Sequence, residues 1–142
     1  MSFIINPFDG LSQVKFGMTS KQVKKIMGEP ASIEIDNVME ETNEHTAGMI
    51  FRYVEKRLVD IQISKHVDVK VFDVNVFQDA NFIEVLKQKS SQNVEMREYI
   101  NFVDIGMLTC GFTQKKTKKD KFVTIYAKDR VPFYESFMEV FI

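Results

Sequence analysis

Between Met27 and Phe51 every charged side chain is a carboxylate: Glu29, Glu34, Asp36, Glu40, Glu41 and Glu44. Paired carboxylates can carry general acid–base chemistry, but no spacing here marks a catalytic pair. Two readings of the run stand. It is a solvated polar connection, or it is an acidic recognition surface. In the second reading Glu34, Asp36, Glu40, Glu41 and Glu44 meet a basic partner, imitating a nucleic-acid backbone before a basic cleft and speeding association through charge.

Other reactive side chains are few. Cys110 lies in the apolar run 107–112 and reads as a buried thiol. A catalytic cysteine wants a histidine beside it, and the sequence places neither His45 nor His66 there. Two histidines and one cysteine leave little for a zinc site. Neither a Walker loop, GxGxxG, GxSxG, HExxH nor Cys-x-x-Cys occurs. An enzyme is not expected, and neither is a cofactor or a metal. Residues 115–121 carry five lysines in seven positions. They read as an exposed hairpin tip that resists edge aggregation by charge, the alternative being a phosphate contact without Arg or interleaved aromatics.

At 142 residues and 44% hydrophobic content the chain suits a single domain, 1–142, with a sizeable core. Thirteen Phe and eight Met without Trp make that core soft and aromatic. A net charge of −1 argues against bulk nucleic-acid binding. No apolar run approaches the roughly 18 residues of a membrane span. The opening MSFIINPFDG has neither a positive n-region nor a small-residue cleavage site. The cytoplasm is the expected compartment.

The elements follow from period and punctuation. Phe3, Ile4 and Ile5 can add an edge strand before the turn signals Pro7 and Asp9-Gly10. Thr19 with Gln22 forms a capping box, and Met18 with Val23 a hydrophobic staple. Val23, Ile26 and Met27 then make one apolar helical stripe, with Lys21, Lys24 and Lys25 facing away and Gly28 and Pro30 ending the turn. Residues 31–36 alternate as a half-buried strand, and 37–48 read as a long solvated loop or hairpin tip. Residues 49–54 and 57–64 form a hairpin through Glu55-Lys56, though that connection lacks the usual glycine. Residues 67–76 are strand-like. Asn81 and Glu84 cap a second helix over 80–89. Short strands are expected at 94–99, 100–104, 107–112 and 122–127. A last helix, capped by Asp129 with Pro132 in its first turn, aligns Phe133, Phe137 and Phe141 as a lock over the sheet. No tandem repeat is present. The fold class is α+β: an antiparallel sheet of several strands with two or three short helices packed on one face.

The stretch Phe16-Gly17-Met18-Thr19, then Gln22-Val23, Gly28 and Pro30, resembles the entry helix of the β-lactamase inhibitory protein and of the small outer-membrane lipoproteins that share its fold (the BamE/SmpA type). Short bacterial proteins read as immunity proteins carry the same opening. The resemblance spans 17 of 142 residues and implies a helical layer on an antiparallel sheet. The inhibitory residues of that family lie outside the motif, so none is carried over. The lipobox cysteine is missing, so the outer-membrane role is not implied.

Together these features point to a small bacterial protein-binding protein, an immunity or inhibitor protein that neutralises a cognate toxin. The alternative is a small-ligand-binding or enzymatic α+β domain with a Met- and Phe-lined pocket.

Overall fold

In the computed structural model, residues 2–38, 40–113 and 120–139 are described. The lysine run at 115–119 and Phe141 of the expected aromatic stripe lie outside them.

Period-two alternation builds the main sheet. In β6 (Met49–Val54) Met49, Phe51 and Tyr53 are buried while Ile50, Arg52 and Val54 point to the other face. Its hairpin partner β7 (Arg57–Ser64) turns Leu58, Ile61 and Ile63 to the same side. The register steps between Arg52 and Tyr53, leaving Val59 as an extra residue. Its carbonyl accepts from the Ala127 N–H at 2.8 Å. The connection is Glu55-Lys56, with both residues at positive φ (51° and 66°). The twist of the flanking strands demands that geometry whether or not glycine is present.

Six further strands complete the sheet: β4 (Ser32–Asp36), β5 (Glu41–Thr46), β10 (Asn93–Met96), β11 (Tyr99–Phe102), β12 (Met107–Cys110) and β13 (Phe122–Tyr126). The order is β10-β11-β12-β13-β7-β6-β5-β4, antiparallel throughout. The expected loop at 37–48 is thus mostly strand. Its polar residues are compatible with β5 because the strand is paired on both sides, and five of its six side chains are only half-buried.

A second, five-stranded sheet covers one face. It contains β1 (Phe3–Asn6), β2 (Gly10–Leu11), β3 (Val14–Lys15), β8 (Val69–Val71) and β9 (Val74–Asn75) in the order β3-β2-β1-β8-β9, with β1 parallel to β8. The run at 67–76 is therefore a tight hairpin through Phe72-Asp73, not one strand. Gly10 is required where β2 meets β3, since a Cβ there would lie 2.0 Å from the Val14 carbonyl oxygen. Ile5, Leu11, Val14, Val69 and Val71 join Phe51, Ile61, Ile63, Val123 and Ile125 in one core.

The helices α1 (Ser20–Met27) and α2 (Phe82–Lys89) join that core through Val23 and through Phe82 and Leu86. Helix α1 begins at the expected capping box: Thr19 Oγ1 accepts from the Gln22 N–H at 3.3 Å, and Gln22 Oε1 accepts from the Thr19 N–H at 2.9 Å. Its stripe is narrower than the spacing implies, because Ile26 is 39% exposed. Asn81 makes no side-chain cap for α2.

The third helix, α3 (Val131–Glu139), follows a 3-10 turn at Lys128–Arg130 and packs on the other face of the sheet. The expectation of helices on one face is thereby corrected. That second face carries Tyr99, Leu108, Cys110 and Tyr126, buried apolar positions that need a cover of their own. The residues α3 buries are Tyr134 and Met138; Phe133 is 44% exposed. Tyr134 stacks on Tyr126 with ring centroids 4.4 Å apart. Cys110 is buried in this cluster, as its apolar neighbours imply. Among the described residues no helix is long and apolar enough to cross a membrane.

Candidate partner-binding edge

The strand β4 closes one end of the main sheet and, among the described residues, pairs only with β5. All five of its residues are exposed. Alternation puts Ile33 and Ile35, 49% and 68% exposed, on the face that carries α1. Glu34 and Asp36 point to the opposite face. The turn after β4 exposes Val38 at 91%, and its N–H donates to Asp36 Oδ1 at 3.0 Å.

The register sorts the five acidic candidates. Ile33 lies opposite Glu44, Glu34 opposite Asn43 and Asp36 opposite Glu41. Glu34 contacts His45 Nε2 beside it. Glu40 is exposed in the connecting turn at φ 51°, and its carbonyl accepts from the Glu55 N–H at 3.3 Å. Glu41 shares the face of Glu34 and Asp36 but is engaged by Arg52 Nε at 2.8 Å. Glu44 is set apart. It lies on the α1 face, 5% exposed, accepting from the Ser20 hydroxyl at 2.6 Å with Lys24 Nζ at 3.9 Å. Burial, together with the Glu44 carboxylate, holds the Tyr53 phenol above its ordinary pKa. Asp36, Glu40 and Glu41 meet in a cleft of about 460 Å³ at the end of the sheet, completed by Ile35, Asn37, Thr42, Glu55 and Lys56. Four carboxylates against one ammonium make it acidic, and Glu55 is the member the sequence did not single out.

Arg52 links this end to a buried ion network. Its Nη1 donates to Asp60 Oδ1 at 2.7 Å. Asp60 Oδ2 accepts from Arg130 Nη2 at 3.2 Å and from the Tyr134 hydroxyl at 2.8 Å. Asp60 has no exposed surface. Burial raises its pKa, and the positive charge of Arg52 opposes that rise. Burial, reinforced by the Asp60 charge, also raises the Tyr134 phenol. Arg130 lies over the Phe133 ring, 3.9 Å from its centroid. Beside the network a groove of about 290 Å³ runs between α3 and the sheet, where Arg52, Gln62 and Thr124 meet Phe122, Phe133 and Phe137.

Arg52, Asp60, Arg130 and Tyr134 were missed because alternation alone turns Arg52 and Asp60 outward, and outward reads as solvent. The sequence held no signal for this pairing: a regular two-residue hairpin sets Arg52 opposite Val59, and only the bulge at Val59 brings Arg52 opposite Asp60. Among the described residues no three His, Cys, Asp or Glu side chains converge as a metal ion needs. Comparison with known proteins returned no matching family model, curated protein or solved structure.

Proposed function

We propose that this chain is a non-catalytic protein-binding protein of the inhibitor or immunity type, acting in the bacterial cytoplasm on a basic partner such as a toxin domain. The observation that carries the reading is the β4 end of the sheet. There an exposed edge strand with outward isoleucines adjoins a cleft walled by Asp36, Glu40, Glu41 and Glu55. Such a surface offers backbone pairing, apolar contact and negative charge in one place. The entry-helix resemblance supports the same reading. So does the capping box at Thr19, which anchors the helix leading into β4.

The test begins with affinity capture from the native host and continues with the purified partner. Reversing Glu34, Asp36 and Glu40 to Lys is expected to slow association, and wild-type association should weaken with salt. Stopped-flow kinetics at two salt concentrations measures both, and unchanged rates would exclude this end from the interface. Glu41 and Glu44 are unsuitable for reversal, because their partners Arg52 and Ser20 are held at partly buried positions, whereas the contacts of Glu34 with His45 and of Asp36 with the Val38 N–H are at the surface.

The groove under α3 favours a second reading, a small-ligand site with aromatic walls and the Arg52 guanidinium at its floor. Thermal-shift screening against Phe137→Ala and wild type tests it; a ligand whose effect vanishes in the variant would support it.

A further inference from the structure

Resting on the protein-binding reading, we infer that β4 binds an extended partner segment as an added strand, and that this segment alternates basic and apolar residues. The inference starts from what a sheet edge leaves open. Along a strand, peptide groups alternately face the two neighbours, so the side of β4 away from β5 presents donors and acceptors to which no strand among the described residues is laddered. Proteins blunt such an edge with proline, charged side chains, a bulge or a covering element, and of these β4 carries charge, at Glu34 and Asp36. Here Pro30 stands before the strand, not in it, and no residue of β4 is buried by a neighbour. The other end of the sheet differs. In β10 only Val94 is a large exposed apolar residue, and Glu95 faces Lys87 of α2 at 4.0 Å.

The side chains then specify the occupant. An added strand places its residues directly opposite those of β4, on alternating faces. On one face it meets Ile33 and Ile35, which take apolar partners. On the other it meets Glu34 and Asp36, which take Lys or Arg. A second copy of this chain fits badly. In the fully overlapped antiparallel register Glu34 faces the same residue of its mate, and in the next one Glu34 faces Asp36. Like charges directly opposite each other destabilise a pair. The excess negative charge of the adjoining cleft extends the same preference past the end of the strand.

The test uses the full-length protein and two synthetic hexapeptides, Lys-Val-Lys-Val-Lys-Val and Glu-Val-Glu-Val-Glu-Val, read by amide chemical shifts and hydrogen exchange. The basic peptide is expected to shift and protect amides of residues 32–36, and the acidic one to leave them unchanged. In the Glu34→Lys/Asp36→Lys variant the preference should invert, with affinity for the basic peptide falling about tenfold or more. Both positions are exposed, and the remaining amide spectrum verifies that the variant is folded. Shifts confined to the groove under α3, equal binding of the two peptides, or no binding of either would overturn the inference. A captured partner whose binding the basic peptide does not compete would also overturn it, while leaving the protein-binding reading intact. Peptide binding at β4 in a chain that proves to have no protein partner would do the reverse.

Discussion

At the scale of single residues, the most exacting position is Asp60. Its carboxylate is fully buried, and among the described residues two guanidiniums and one phenol compensate it. Removing one member of such a cluster strands the others. Asp60→Asn is therefore expected to cost about 3–5 kcal/mol in urea unfolding, and Tyr134→Phe, which removes one hydrogen bond to it, about 1–3 kcal/mol. A smaller loss for Asp60→Asn than for Tyr134→Phe would show that the charges are not what holds α3 down. Asp104 supplies the pH dependence. Burial pulls its pKa upward, but the Ser90 hydroxyl at 2.6 Å, the Ser91 N–H at 2.7 Å and the Ser91 hydroxyl at 3.1 Å hold it below the ordinary value. A lowered native pKa means its stabilising effect is complete above the ordinary aspartate range and is lost as pH falls through the native value. The stability gap between wild type and Asp104→Asn should accordingly close as pH falls from the ordinary aspartate range through the lower native value. The gap itself will be small, because the side chain is exposed. None of this could be read from the sequence. Arg52 and Asp60 alternate with apolar residues as any solvent-facing pair would, and only the placement of α3 makes them interior.

At the scale of elements, local chemistry was legible wherever it closes over a few residues. The capping box at Thr19 and the two-residue hairpin at Glu55-Lys56 both lie where the sequence puts them. The hairpin does so at a cost. Both turn residues carry a Cβ at positive φ, where glycine is unstrained. Lys56→Gly is expected to stabilise by roughly 1 kcal/mol, seen as a higher urea midpoint at unchanged slope. The helix α1 corrects its own stripe. Val23→Ala should cost about 2 kcal/mol, since Val23 is 3% exposed, whereas Ile26→Ala should stay within about 0.5 kcal/mol. Equal losses would mean that Ile26 is covered in solution. What the sequence could not give was which strands pair at a distance. Residues 3–15 and 69–75 build a second sheet through the parallel pairing of β1 with β8, a contact between segments more than sixty residues apart. Residues 41–46 look like a loop because polar side chains dominate, yet pairing on both sides makes them a strand.

At the scale of the whole molecule, two faces of one sheet are covered by different means, and one end of it is left open. The small sheet with α1 and α2 seals the first face, and α3 seals the second. Neither layer buries β4. Part of the candidate site was therefore legible, and part was not. The acidic run lies at the β4 end of the sheet, but the register alone separates Glu34, Asp36, Glu40 and Glu41 from the buried Glu44. An open edge with outward isoleucines tends to pair with itself unless something opposes it, and in this chain the opposing term is expected to be the negative charge of Glu34 and Asp36. Removing that charge while keeping the side-chain size should expose the liability. The Glu34→Gln/Asp36→Asn variant is expected to fold as wild type does, because both side chains are exposed, and to self-associate more strongly than wild type. Sedimentation velocity over a concentration series reads the change. Adding Ile35→Lys should abolish the added association, since it removes the apolar contact and restores like-charge repulsion across the pair. If the neutral variant associates no more than wild type, charge is not what keeps the edge open. The acidic residues would then have no role in choosing what pairs with β4.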